Sequence, residues 1–282
     1  MLRSGNDAAV AIAEHVGGSI QGFAELMNKK AEELGLTNTH FVTPHGLDNS
    51  EHYTTAYELA KLTDYAMQNE KFASIVGTKV TTIYINNSPR QINNTNELLG
   101  TLNGVVGVKT GFTNNAGRCL VTETKRNDMD IITIVLGADT KRDRTKDSIK
   151  LIEYTFSNYK IFNLEEKITE QFNNWKNINE KRIQIIKGQE STLQLELGTI
   201  EKKTLAIKEE DIDKIEYEIN TLTTIEAPIQ KNTKIGTMNI KLNGEIIEAI
   251  DIVNASEVKK KTWKNYFKEN IKVITKLIEE LA

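Results

Sequence analysis

An α+β fold is predicted for this 282-residue chain, and three observations predict it. Apolar residues recur at helical spacing near the start (Val10, Ile12 and Val16, then Phe23, Leu26, Met27 and Leu34). From residue 78 onward, short runs alternate apolar and polar residues around turns rich in Asn and Gly, as half-buried antiparallel strands do. The length corresponds to about two domains, and the texture changes near residue 164, where the alternating runs become shorter and denser. The expected organisation is a domain over 1–162 that combines an antiparallel sheet with helices, a small all-β domain over 163–256 and an amphipathic helix over 257–282.

In chain order, Gly17-Gly18-Ser19 divides the first helical stretch into two helices. Ser4 and Asn6 stand at the start of the first, where side chains can leave a helix end for a cleft, although any serine there could equally cap the helix. A turn-rich connection over 34–48 leads to a helix from about Thr55 to Gln68. Val80, Ile83, Ile85 and Ile92 alternate around Asn86-Asn87-Ser88-Pro89, which predicts a hairpin that feeds the loop Asn93-Asn94-Thr95-Asn96. Next, the apolar strand Val106-Gly107-Val108 breaks into Lys109-Thr110-Gly111-Phe112-Thr113. Strands Arg118–Lys125 and Asp130–Gly137, joined through Asn127-Asp128, make a meander whose first strand carries Lys109. Cys119, in the run Cys119-Leu120-Val121, reads as a core residue. A charged turn over Asp139–Arg144 enters a helix from Thr145 to Tyr159.

In the second half, Arg182–Lys187, Ser191–Leu197, Lys214–Leu222 and Met238–Leu242 alternate around Gly188-Gln189 and Asn243-Gly244. In the last segment Trp263, Tyr266, Phe267, Ile271, Ile274, Leu277, Ile278 and Leu281 share one helical face. Seven lysines from Lys259 to Lys276, against the single Glu269, give that segment a charge of +6. Such a helix suits an anionic membrane surface, with Trp263, Phe267, Ile271 and Ile274 as the contact residues; packing on the chain's own β-domain is the alternative.

A net charge of −3 implies no general affinity for nucleic acid. One cysteine excludes an internal disulfide or a cysteine-based metal cluster. The four histidines lack metal-ligand spacing, so no metal and no cofactor is expected. No apolar run reaches 18 residues, and Met1-Leu2-Arg3 passes straight into Ser4-Gly5-Asn6 with no pattern of an export signal.

Lys-Thr-Gly carries the chemistry. A peptide or β-lactam with a free carboxylate needs a fixed cation and a hydroxyl beside its acyl carbon, which Lys109 and Thr110 supply, while Gly111 leaves room for a ligand backbone to lie along the strand. Lys-Thr-Gly and the Ser-x-Asn triplet Ser4-Gly5-Asn6 are two of the three motifs of penicillin-interacting serine enzymes, in the right order. Together with the segment Leu34–Asp48, the opening Ser-Gly-Asn-Asp-Ala and Lys-Thr-Gly-Phe-Thr, the chain resembles the D-alanyl-D-alanine carboxypeptidases, the low-molecular-weight penicillin-binding proteins, over nearly its whole length.

That resemblance implies a β-lactamase/transpeptidase-like catalytic domain, here incomplete, and a serine-type enzyme that trims the terminal D-Ala of peptidoglycan stem peptides through an acyl-enzyme. It also implies reaction with β-lactams and a peripheral place on the outer face of the cytoplasmic membrane. In it Ser4 is catalytic, Asn6 holds the substrate amide, Lys109, Thr110 and Arg144 hold the terminal carboxylate, and the Phe112 N–H is half of an oxyanion hole. Ala227–Asn232 and Lys234–Thr237 resemble the family's C-terminal domain.

The third motif, Ser-x-x-Lys, supplies the nucleophile in that family and should precede Ser4. The two matches, Ser157–Lys160 and Ser256–Lys259, follow Lys-Thr-Gly and are about what chance gives for 9 serines and 29 lysines. The sequence therefore predicts a chain that lacks its nucleophile and is inactive alone. Alternatives are a non-catalytic membrane-associated remnant and a β-lactamase, the latter disfavoured by Gly5 in place of the middle Asp of Ser-Asp-Asn.

Overall fold

The glycine-glycine-serine break falls where the periodicity predicts it. In the structure, a computed structural model that describes residues 1–281 apart from the side chains of Lys276, Leu277, Glu280 and Leu281, helix α1 spans Asn6–Gly17 and α2 spans Ile20–Glu33. Gly18 closes α1 at φ 72°, a left-handed position that a glycine takes without cost, and the Ser19 hydroxyl caps α2 by accepting the Gly22 N–H at 2.9 Å. Helix α3 (Ala56–Met67) starts at Thr55, whose hydroxyl caps Glu58, and α4 (Glu70–Gly77) follows at once behind an Asn69 cap. The sequence reading passed over α4, which is only eight residues long.

Strands β1 (Val80–Ile85) and β2 (Ser88–Asn93) form the expected hairpin, with Asn86 and Asn87 both at positive φ as a two-residue turn requires. Strands β3 (Val105–Thr113), β4 (Gly117–Arg126) and β5 (Met129–Ala138) make an antiparallel sheet in the order β3-β4-β5. Asn127 and Asp128, at φ 48° and 63°, turn the chain between β4 and β5. One face of this sheet meets α5 (Lys141–Asn158), where Leu98, Leu99, Val105, Leu120 and Ile152 form a buried cluster. On the other, Val76, Val108 and Val121 pack with Leu59, Met67 and Phe72 of α3 and α4. Burial of a side chain such as Leu120 or Ile152 contributes about 2 kcal/mol each.

Three expectations are corrected. Helix α5 begins at Lys141, not Thr145, because the Thr140 hydroxyl accepts the Asp143 N–H at 3.1 Å and donates to its carboxylate at 2.6 Å, so Arg144 lies within the first helical turn. Cys119 is half-buried rather than core, since it pairs with Gly111, which offers it no side chain to pack on. The second half is not all-β: α6 (Leu164–Asn179) puts Leu164, Ile168 and Phe172 into its core.

The chain divides into two compact units, Met1–Asn158 and the residues from Tyr159 onward. In the second, β6 (Tyr159–Asn163) precedes α6, and β7 (Gln184–Ile186), β8 (Leu195–Leu197), β9 (Thr204–Lys208), β10 (Ile215–Thr221), β11 (Thr224–Glu226), β12 (Lys234–Leu242) and β13 (Glu245–Asn254) follow. Its main sheet runs β10-β12-β13-β8, with the Asn243-Gly244 turn joining β12 to β13 and with Met238, Ile240, Ile250 and Ile252 buried. The last helix, α7 (Trp263–Leu281), leaves Trp263, Phe267, Ile271 and Ile274 exposed. Leu277 and Leu281 of the amphipathic pattern lie outside the described side chains. No helix among the described residues is long and apolar enough to cross a membrane.

Candidate active site

Strand β3 carries Lys109, Thr110, Gly111 and Phe112 into a cleft of about 550 Å³ in the first unit. Ser4, Asn6 and Arg144 line the same cleft, so all seven residues singled out there by sequence come together, from positions up to 140 residues apart. Neither Ser157 nor Ser256 lines it.

Ser4 does not cap α1. Gly5 occupies the N-cap position and has no side chain to cap the first turn, while Ser4 itself sits at φ 58°, a left-handed conformation that costs a non-glycine residue about 1 kcal/mol. That backbone leaves the hydroxyl free for the cleft, where Lys109 Nζ donates to Ser4 Oγ at 2.7 Å and to the Thr110 carbonyl at 2.6 Å. Burial pushes the Lys109 ammonium down from the ordinary lysine value. With Lys109 donating to it, the Ser4 oxygen keeps its own proton available for another acceptor.

The loop after β2 fastens the two halves of this arrangement. Thr95 donates its N–H to the Leu2 carbonyl at 3.1 Å, and its hydroxyl lies 2.7 Å from that of Thr110. The buried Asn96 amide donates to the Gly107 carbonyl at 3.0 Å. Sequence reading placed the loop but not Thr95 in the cleft, because a threonine among asparagines carries no motif.

Across from β3, His45, Gly46 and Leu47 form the facing wall. Their segment is held from behind. Asn28 brackets Phe41 by donating to its carbonyl at 2.8 Å and accepting its N–H at 2.7 Å, and Glu58 accepts the Asn38 N–H at 2.9 Å and the Thr39 hydroxyl at 2.6 Å. Burial lowers the pKa of His52, with His40 and His45 adding to the effect, and its Nδ1 accepts the Val42 N–H at 3.0 Å.

Arg144 is 3% exposed and its guanidinium pairs with Glu97, whose carboxylate also accepts the Thr145 hydroxyl at 2.6 Å. Burial pushes the Glu97 carboxyl up, but the bonds from Thr145 and Arg144 outweigh it and hold the group below the usual carboxylate range. The Arg144 Nε has no partner among the described residues. Glu97 and Arg118 were not anticipated by sequence. The Arg118 guanidinium lies 3.5 Å from the centroid of the Phe112 ring, its cross-strand partner. Gly111 is not demanded by the fold: a Cβ there would meet only the Cys119 Cβ, at an ordinary 3.6 Å.

Among the described residues no group of three or more His, Cys, Asp or Glu side chains could hold a metal ion. The cleft instead pairs a hydroxyl with a desolvated lysine beside an open strand edge, an arrangement suited to binding an extended anionic peptide and moving a proton at its acyl carbon.

Comparison with known proteins agrees with this chemistry. The family model described as D-alanyl-D-alanine carboxypeptidase matches residues 1–140, and that of the penicillin-binding protein 5 C-terminal domain matches 174–260. The chain is 33% identical over 272 residues to the D-alanyl-D-alanine carboxypeptidase DacF of Bacillus subtilis, covering 96% of this chain and 67% of that protein. It is 32% identical to DacA of Haemophilus influenzae, covering 90% and 62%. The chain thus spans roughly three-fifths to two-thirds of the length of these relatives. Among solved structures, penicillin-binding protein 5 from Haemophilus influenzae superposes with a TM-score of 0.68 at 29% identity, over 91% of this chain and 72% of that one. The carboxypeptidase DacD from Francisella tularensis does so at 0.69 and 25%, over 92% and 73%.

Proposed function

Because the chain belongs to the D-alanyl-D-alanine carboxypeptidase family, we propose that its cleft receives the D-Ala-D-Ala end of a peptidoglycan stem peptide and serves a serine-type carboxypeptidase that removes the terminal D-Ala through an acyl-enzyme. The observation that carries this reading is the Lys109 Nζ to Ser4 Oγ bond at 2.7 Å, made across 105 residues inside a cleft that also holds Thr110 and Asn6. The substrate backbone lies along the free edge of β3 against Gly111, its terminal carboxylate takes Lys109, Thr110 and Arg144, and Asn6 holds the amide beside the scissile bond. The Phe112 N–H supplies half of the oxyanion hole. Ser4 relays a proton toward the departing amine, with Lys109 fixing its hydroxyl and favouring the proton's departure.

The acylating serine of the family comes from Ser-x-x-Lys, and neither match to that pattern lines the cleft. The reading is therefore that residues 1–282 bind substrate without being acylated, with Ser4 an unsuitable substitute because position 7 is Asp7 rather than an activating lysine. Incubating the purified chain with a fluorescent penicillin and running a denaturing gel tests this. No labelled band is expected, and a band lost in Ser4→Ala overturns the assignment of Ser4 as a relay.

A further reading concerns α7. Its exposed Trp263, Phe267, Ile271 and Ile274, together with the lysines around them, support a helix that lies on anionic lipid, which would place the protein peripherally on the outer face of the cytoplasmic membrane. This is an anchoring role and leaves the chemistry of the cleft unchanged.

A further inference from the structure

The charge of the cleft exceeds what one peptide terminus can use. Four cations line it, Lys109, Arg118, Lys141 and Arg144, and no carboxylate does among the described residues. Glu97 reaches Arg144 from outside the lining and neutralises it, which leaves three cations against the single terminal carboxylate of a D-Ala-D-Ala peptide. Lys109, engaged with Ser4, serves that terminus together with Thr110 and with Arg144, whose charge Glu97 already balances. Arg118 has no task in the chemistry described above and no ion-pair partner among the described residues, yet it is held in place: its guanidinium rests 3.5 Å from the centroid of the Phe112 ring, on the next strand.

We propose that Arg118, seated on Phe112, forms a second carboxylate subsite that selects peptides carrying an acidic side chain upstream of the D-Ala-D-Ala terminus, an inference that rests on the carboxypeptidase reading of the cleft. A guanidinium with its face on a ring still presents N–H donors at its rim, in the fork geometry that a carboxylate accepts through two bonds. Holding it on the ring removes much of the side-chain entropy that a free arginine would lose on binding. Lys141, on the first turn of α5, adds positive potential without a fixed bond. Phe112 immediately follows Gly111, so a peptide laid along the β3 edge reaches Arg118 with a residue beyond the one that occupies the Lys109 and Thr110 site.

The test titrates the 282-residue chain with two acetylated tripeptides, both ending in D-Ala-D-Ala and differing only in the first residue, glutamate in one and glutamine in the other, read by ¹H–¹⁵N correlation NMR so that millimolar affinities are measurable. The wild-type chain is expected to prefer the glutamate peptide by about tenfold, the scale of one charge-assisted contact. In R118Q that ratio should collapse toward one, and in R118K, which keeps the charge and loses the fork, it should fall between. Because the ratio is taken within each variant, a general loss of binding does not imitate the effect. Equal affinities in the wild-type chain, or an undiminished preference in R118Q, overturn the subsite while leaving the carboxypeptidase reading standing. Failure of both peptides to bind the wild-type chain overturns the reading itself, and the subsite with it.

Discussion

Replacing Glu97 by alanine isolates the electrostatics of the buried arginine. The carboxylate and the Arg144 guanidinium form a close pair, and two unit charges about 4 Å apart attract by about 4 kcal/mol at an effective dielectric of about 20. Glu97 is 42% exposed and already partly solvated, which halves the gain, whereas Arg144 is 3% exposed and its Nε is already unpartnered, so removal of the acid leaves a largely buried charge without its counterion. The expected cost is about 2 kcal/mol, or about 4–8 °C in the melting temperature of a unit of this size. Urea and thermal denaturation of both chains followed by circular dichroism measure it. The pH dependence supplies a second check. Since the folded pKa of Glu97 is lowered, its contribution is complete above the ordinary carboxylate value and is lost as pH falls through the folded one. The gap between wild type and Glu97→Ala should therefore be full at pH 7 and close on acidification below about pH 4. Equal stabilities at pH 7, or a gap that persists undiminished at pH 3, would refute the reasoning.

Other outcomes follow from the same geometry. Gly111→Ala should leave the melting temperature within about 1 °C, since its Cβ meets only ordinary contact, while weakening binding of a D-Ala-D-Ala peptide at least tenfold by NMR titration. In a protein extended to include a Ser-x-x-Lys segment, Lys109→Ala should slow penicillin acylation by about 10² to 10³ without altering the fold; wild-type stopped-flow kinetics would contradict its role. Leu120→Ala, at a fully buried position, should cost about 3 kcal/mol in urea denaturation. A peptide of residues 257–282 should gain helicity by circular dichroism on anionic vesicles and not on neutral ones; no gain on anionic vesicles removes the anchoring proposal.

What could be read from the sequence was whatever depends on local chemistry. Turns that need positive φ declared themselves through Asn86-Asn87, Asn127-Asp128 and Asn243-Gly244, and those pairs fixed the strand order around them. Lys109 and Ser4 were legible because their motifs are contiguous. Arg144 was singled out through the family resemblance, which its spacing from Lys109 fits, but the helix carrying it starts earlier than expected, since its cap, Thr140, lies inside a charged run that reads as a turn. Helix α6 was overlooked because its buried face uses only Leu164, Ile168 and Phe172, spread thinly among charges. Thr95, Arg118 and Glu97 could not have been found in this way: each acquires its place in the site through a partner on another segment, and nothing in its own neighbourhood announces that partner.

The contact between Ser4 and Lys109 also constrains how the protein reaches its working form. Closing a loop of 105 residues costs an unfolded chain about 4 kcal/mol in entropy, so the bond cannot nucleate anything and must be among the last to form. The Leu2–Thr95 bond closes a loop of similar length and shares that late timing. The cleft is consequently a reporter of finished assembly: a chain arrested with its meander and α5 already in place would present Lys109, Thr110 and Arg144 but no docked first segment, and so would lack Ser4 and Asn6. Any ligand that touches both Ser4 and Lys109 acts as a clasp on that loop, drawing the population toward the completed state by mass action and slowing hydrogen exchange along residues 1–6 before any other segment.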